Sequence, residues 1–366
     1  MNAHAMFHTD HFDFTREQIR QAVRDKRLLA MEVEFNRVCN YRCPYCYAYD
    51  GDESAGSAAG QGDLITSEEI DSVINQAAEL GVHKIVVLGG EPLLYRELEE
   101  KLERIVRLGM RAEVFTNGAL MNKETARMLF QHKARVVLKF NSLDHAVQER
   151  MTGVRGALDN CFRAIGLLRE AGYAGEPGLL AASSVICSEN ESGMSGLWRY
   201  LRKEGILPYF EILTPQGRMR RNAHLHVDPR RIEQIFSEIA EIDRTEFGRE
   251  WTPQPPLVGG ACFRHHYSCL VNAGGIVMPC VGVTIPLGSI REKSLKDIIS
   301  GSKVLDDLKH YEERLKGPCG KCSEKSHCCG CRGAAYQMTG DYLASDPLCW
   351  RNAGCSNEML CSENQK

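Results

Sequence analysis

From residue 30 to residue 213 the chain alternates short apolar runs with amphipathic stretches, and this leaves few folds open to it. The runs are AMEVEF (30–35), KIVVLGG (84–90), RAEVFT (111–116), ARVVLKFN (134–141), LLAASSVIC (179–187) and PYFEIL (208–213). Between them the apolar spacing predicts helices over 65–81, 95–108, 123–132, 156–171 and 191–204. The first of these opens on a capping box of Thr66 and Glu69 and stops at Gly81. A shorter helix is expected near the start, where Thr15 and Gln18 form another box ahead of Ile19, Val23 and Leu28. The small, polar stretch 52–63 reads as a loop. Strands separated by helices pair in parallel, so the expectation is an α/β chain of six βα-type units, its sheet closed or partly closed. In closed sheets of this kind the chemistry collects at the C-terminal ends of the strands.

The remaining composition sets bounds. At 366 residues, 43% of them apolar, the chain suits a barrel with an appendage. A net charge of -3 provides no field for a polyanion, which argues against nucleic acid as a partner. No apolar run approaches the roughly 20 residues that span a bilayer, so no membrane partner is expected. The N-terminal stretch has no apolar signal core, and a cytoplasmic location is expected. Of 16 cysteines, three lie near residue 40 and eleven after residue 260. In a large chain of this kind they suggest metal or redox work rather than disulfides. The expected division is an N-terminal extension (1–30), the barrel (31–215), a linker helix region (216–256) and a cysteine-rich second domain (257–366).

VCNYRCPYC, residues 38–46, places Cys39, Cys43 and Cys46 at C-x3-C-x2-C just after the first strand. Three thiolates on one loop can hold three corners of an iron-sulfur cubane. Four Cys ligands are usual, so the fourth iron would be open to another group. A zinc ribbon would pair one C-x2-C with a second, and that pair stands only far downstream. A zinc knuckle and incidental thiols are the competing readings.

With LGGEPLL (88–94) after the second strand, residues 31–215 resemble the radical SAM superfamily. The resemblance implies a partial (β/α)6 TIM-type barrel, with a [4Fe-4S] cluster on Cys39, Cys43 and Cys46 and S-adenosylmethionine (SAM) on its open iron. It implies that Gly89, Gly90 and Glu91 meet the SAM amino group and that Tyr45 packs on adenine. Asn141 and Ser142 would approach the ribose or carboxylate, and Arg150 would pair with the carboxylate. Asn190, after the fifth strand, is a further polar candidate. An external one-electron reductant of flavodoxin or ferredoxin type is implied as a partner.

Downstream, Cys262 is followed by Gly275 and Cys280, then by CGKCSEKSHCCGC and DPLC. This resembles the SPASM domain, which carries two auxiliary [4Fe-4S] clusters, so three clusters are expected in all. The resemblance implies that Cys262, Cys269, Cys280 and Cys331 hold the first, and Cys319, Cys322, Cys328 and Cys349 the second. The family usually has three residues between the last two cysteines of the central run. Here Cys328 and Cys331 have two, one of them Cys329, which is taken as spare along with Cys355 and Cys361. Two zinc ions are the alternative for this domain.

The reaction implied is hydrogen abstraction by a 5'-deoxyadenosyl radical, with the auxiliary clusters accepting an electron from the substrate. If a base also takes a proton, the outcome is a two-electron oxidation. Glu211, near the end of the sixth strand, is the candidate base if it points into the barrel; pairing with Arg218 or Arg220 would make it structural. His265 and His266 are a second candidate pair, and Cys187 is the candidate hydrogen donor of an epimerase. Sulfatase-maturing members carry an acid after the cysteine of G-x4-C, where this chain has Val281. Peptide-modifying members often carry an N-terminal leader-binding domain, for which the residues before the first strand are too few. KFNSLD and CCGCRGAAYQMTGDYLASDPLC resemble members that oxidise sugar or aminocyclitol alcohols in antibiotic pathways, so a small polar substrate is expected. The alternatives are a peptide maturase, an epimerase, and an iron-sulfur electron carrier with no SAM pocket.

Overall fold

The computed structural model describes residues 13–25, 27–49 and 64–352. The whole of the expected 52–63 loop, Cys355 and Cys361 lie outside the described residues. Strands β1 (Ala30–Glu34), β2 (Lys84–Leu88), β3 (Arg111–Thr116), β4 (Arg135–Lys139), β5 (Leu180–Ile186) and β6 (Leu207–Ile212) lie side by side in chain order. Each pairs in parallel with the next, which is the partial barrel. The helices are α1 (Arg16–Arg24), α2 (Ser67–Glu79), α3 (Leu98–Arg107), α4 (Lys123–Gln131), α5 (His145–Thr152), α6 (Ala157–Ala171), α7 (Met194–Lys203) and α8 (Pro229–Phe247).

Both capping boxes form, at Thr15 with Gln18 and at Thr66 with Glu69. Three helices depart from the reading, one of them α7, which starts three residues late behind a 3-10 turn over Glu191–Gly193. α3 starts three residues late because Pro92–Leu94 first makes a 3-10 turn, with the Glu91 carboxylate accepting from Leu93 N. α5 was not foreseen, since its apolar spacing is sparse. Its ends are nevertheless local: Asp144 accepts from Val147 N, and Gly153 closes it in the left-handed region at φ 69°.

Strand side chains alternate between two environments. Met31 and Val33, Ile85 and Val87, Ala112 and Val114, Val136 and Leu138, and Phe210 belong to the apolar core beneath the helices. Their neighbours Glu32, Lys84, Glu113, Arg135, Lys139, Ser183, Tyr209 and Glu211 line the barrel interior. The alternation settles the orientation of Glu211. Phe210 packs edge-on against Trp198 of α7, and Glu211 therefore faces inward.

The cysteine-rich region is not a detached layer. Residues 256–258 bond to β6, with Ile212 N donating to Pro256 O (3.1 Å) and Val258 N to Phe210 O (3.0 Å). The chain then runs through α9 (Arg264–Tyr267) to β7 (Leu270–Val271), which pairs in parallel with β1. Residues 256–271 thus span the side left open between β6 and β1. β8 (Ile276–Met278) and β9 (Gly288–Ser289) continue the sheet antiparallel. At the other end of the barrel, Asp13 bonds Arg135 (3.3 Å) and lies 3.6 Å from Lys84, while Phe14 meets the Tyr267 ring edge-on. Residues 13 and 14 of the expected extension therefore form part of the barrel floor.

Candidate active site

The loop after β1 carries Cys39, Cys43 and Cys46, and all three line one cavity of about 500 Å³ inside the barrel. This loop is seated on the turn after β2. Gly90 N donates to Asn36 O (3.0 Å) and Glu91 N to Val38 O (2.8 Å), while Asn36 Nδ2 donates to Glu91 O (3.1 Å). A Cβ on Gly90 would stand 2.1 Å from Val38 O, and one on Gly89 (φ 142°) 2.6 Å from Asn36 O. The close approach that needs this glycine pair is therefore to the cysteine loop itself. Glu91 is 2% exposed and lines the cavity. It accepts from Thr116 Oγ1 (2.6 Å), Leu93 N (3.0 Å) and Asn117 N (2.8 Å), which ties the ends of β2 and β3 together.

Burial pushes the Cys39 thiol up to about 11 and Cys43 up to about 12, and raises Cys46 as well. Thiols so placed are protonated at neutral pH, and metal binding would displace the protons. Three free thiols facing one cavity suit a cluster with one open corner.

Tyr45 lines the cavity, its hydroxyl accepting from Asn141 Nδ2 (2.8 Å) and its ring 5.3 Å from Lys139 Nζ. Gly89 and Gly90 line the cavity as well, whereas Asn141, Ser142, Arg150 and Asn190 do not. Arg150 lies on α5 with its side chain 55% exposed and paired to Glu189 at 2.7 Å. Asn141 is fully buried, and its Oδ1 accepts from Val185 N (3.3 Å). Asn190 donates to Asn141 O and Val185 O and accepts from Cys187 N. Ser142 Oγ accepts from Asp144 N. These polar groups hold the loops after β4 and β5 in place. Cys187 packs with Tyr45, Met151, Val185 and Leu213 behind the wall, its sulfur 3.1 Å from Met151 Sδ.

The barrel interior holds charges that strand-by-strand reading missed. The signal was present, because the charged residues fall an even number of positions apart, two in AMEVEF and RAEVFT and four in ARVVLKFN. Arg135 (3.1 Å) and Lys84 (3.4 Å) reach the Glu113 carboxylate, and against the penalty of burial they hold it below its usual range. Arg264, from the crossing segment, pairs with Glu32 (3.1 Å) and donates to the Tyr209 hydroxyl, which lies 3.5 Å from Glu211. Burial raises the Glu32 carboxyl despite that pairing. Arg220 bonds Gln337, and Arg218 lies over the Tyr49 ring.

Cys262 lines the same cavity as the first three cysteines. Cys331 feels the charges of Cys262 and Cys280, which places the three together, and burial raises all of them. Gly282 and Gly333 let the Cys280 loop approach the Cys331 helix, since a Cβ on Gly282 would stand 2.7 Å from Gly333 Cα. Cys269 is buried beside β1, its carbonyl accepting from Glu32 N. Cys319, Cys322, Cys328 and Cys349 together line a second, smaller cavity. Cys329 instead packs with Tyr311, Leu315 and Phe263, its thiol donating to Cys262 O. Of the two sets, the four thiols that line the smaller cavity are the ones the structure brings to one space. His265 and His266 are buried away from the main cavity, and burial depresses both.

A barrel with three cysteines on its first loop and a cysteine-rich crossing segment defines the class. Residues 33–192 match the radical SAM superfamily, and residues 262–323 match the SPASM iron-sulfur cluster-binding domain. The chain carries a radical SAM domain and a SPASM domain, and these domains imply SAM and iron-sulfur clusters as cofactors. It is 25% identical over 353 residues to an AdoMet-dependent heme synthase of Methanosarcina barkeri, covering 88% of this chain and 96% of that one. It is likewise 25% identical over 341 residues to a PqqA peptide cyclase of Granulibacter bethesdensis, covering 88% and 87%. In fold it is similar to Streptococcus suis SuiB bound to precursor peptide SuiA, with a TM-score of 0.65 at 16% identity over 92% and 79% of the two chains. None of these three is named as a dehydrogenase. Among the described residues no helix is long and apolar enough to cross a membrane.

Proposed function

We propose that this enzyme carries out a two-electron oxidation on a peptide side chain, with Glu211 as the base. The supporting observation is one cavity lined at once by Cys39, Cys43 and Cys46, by Cys262 and by Glu211. When bound, SAM with its cluster supplies a carbon radical that removes a hydrogen atom, and the auxiliary clusters supply an acceptor for the electron left behind. The proposed set is three clusters, with the three and the two fours of cysteines as ligands. Glu211 Oε receives the substrate proton while Tyr209 and Arg264 hold that wall in place. The closed barrel side excludes water from the reacting carbon. An external one-electron reductant is part of the proposal.

The peptide reading stands ahead of aminocyclitol alcohol oxidation because a peptide cyclase is among the curated relatives. A cavity of about 500 Å³ admits either a side chain or a small ring. Epimerisation ranks below both, because Cys187 lies behind the wall. The deciding experiment is anaerobic incubation with SAM, reductant and either short peptides or aminocyclitols, read by mass. Loss of two hydrogens from a peptide supports the proposal. The same loss from an aminocyclitol, with none from any peptide, overturns it. Glu211→Gln is expected to form 5'-deoxyadenosine but to yield at least tenfold less oxidised product. Normal product yield from that variant clears Glu211 of the role.

A further inference from the structure

Arg332 directly follows Cys331 at the first turn of a short helix, Arg332–Thr339, and is 2% exposed. Its Nη1 donates to Tyr342 O (3.1 Å) and Ala344 O (2.6 Å). Its Nε and Nη2 are buried with no hydrogen-bond partner among the described residues. A buried guanidinium left half unpaired is costly unless an anion stands nearby. The neighbouring acid is Asp346, fully buried, but its Oδ2 accepts from Cys331 N (2.7 Å) and its Oδ1 from Leu348 N (2.9 Å). No ion pair between Arg332 and Asp346 forms within 4.0 Å. The guanidinium lies beside the turn that links Cys328 to Cys331. Its charge acts on Cys329 and on Asp346, and a Cβ on Gly330, between Cys328 and Cys331, would stand 3.1 Å from both Nη2 and Asp346 Oδ2. His265, whose Nε2 is also unpartnered, feels the same charge.

We infer that Arg332 is a positioning residue for the auxiliary centres: its unpartnered Nε and Nη2 serve the anionic cluster held by Cys331 and its partners, and raise that cluster's reduction potential. Cluster potentials respond to net charge, burial and hydrogen bonds at sulfur. Each one-electron reduction adds a negative charge, which a fixed buried cation favours. Arg332 would thus make the first auxiliary cluster the better electron acceptor, while the SAM cluster, whose cysteines lie on the loop after β1, is left unaffected. The inference rests on the cluster assignment, and the experiment separates the two.

The test is an EPR-monitored redox titration of anaerobically reconstituted full-length protein, with iron counted for each sample. Wild-type protein lacking the auxiliary iron would defeat the cluster assignment itself. With that iron present, Arg332→Gln is expected to keep it and to lower the first auxiliary potential by at least tenfold in the reduction equilibrium, about 59 mV for one electron. The SAM-cluster signal should stay where it was, and Arg332→Lys should recover more than half of the shift. An unchanged potential in Arg332→Gln at full iron overturns the inference, as does a lysine variant shifted as far as the glutamine one. If Arg332→Gln sheds the cluster, Arg332→Lys decides: full iron with less than a tenfold change supports the role of charge, and loss of iron there too makes Arg332 a packing residue.

Discussion

Replacing Gly90 with alanine tests whether the turn after β2 is the seat of the cysteine loop. The new Cβ would stand 2.1 Å from Val38 O, against ordinary contact at 3.4 Å or more, and its nearest atoms are all backbone. No side chain can swing aside, so the loop must retreat by about 1 Å. That retreat strains three hydrogen bonds, from Gly90 N to Asn36 O, from Glu91 N to Val38 O and from Asn36 Nδ2 to Glu91 O. At about 1 kcal/mol each, with about 1–3 kcal/mol for the overpacking itself, the expected loss is about 4–6 kcal/mol. The damage is local, because Cys39 lies one residue beyond Val38 while the auxiliary cysteines are on other segments. Denaturant unfolding should show the loss of stability. With the three clusters proposed above, iron counting after anaerobic reconstitution should find about twelve irons in wild type and about eight in the variant. A Gly90→Ala protein with wild-type stability and a full iron load would refute this account of the loop.

Two further outcomes are expected. A Cys39, Cys43 and Cys46 triple alanine variant should make no 5'-deoxyadenosine yet keep the auxiliary iron; continued SAM cleavage would remove the radical assignment, and an electron carrier would show no change in its cluster EPR on adding SAM. His266, stacked near Tyr311 and Phe263, is depressed by burial and then by Lys309 to about 4 from an ordinary 6.5. It is neutral in the folded protein, so its contribution is fully present above pH 6.5 and is lost as pH falls toward about 4, amounting to about 3 kcal/mol. His266→Phe should flatten the decline in stability across that window, and an unaltered slope in denaturant titrations would show that another group carries it.

The barrel was legible in the chain because its information is local. Each strand is a short run, α1, α2, α4, α5 and α8 open on their own side-chain caps, and the C-x3-C-x2-C loop lies within nine residues. The roles of single residues were less legible. LGGEPLL could be recognised, but only packing showed that its glycines meet Asn36 and Val38 and that its glutamate ties β2 to β3. Arg150, Asn141, Ser142 and Asn190 had suitable chemistry in suitable loops. Their partners, from Glu189 to Val185, are set by how α5 and the loops after β4 and β5 fold back.

The sequence by itself determined which elements form, because periodicity and capping act over a few residues, and it determined that thiols would gather into a group of three and a later cysteine-rich group. Only the tertiary structure decided which thiols share a cavity. Residues 256–271 begin on β6 and end on β1, and this bridging brings Cys262 and Arg264 to the cavity that Cys39, Cys43, Cys46 and Glu211 line. The same holds for Cys328 and Cys329, neighbours in the chain. One faces a cavity with three other thiols and the other is packed against Tyr311, because successive side chains leave the backbone in different directions and only the surrounding packing distinguishes them.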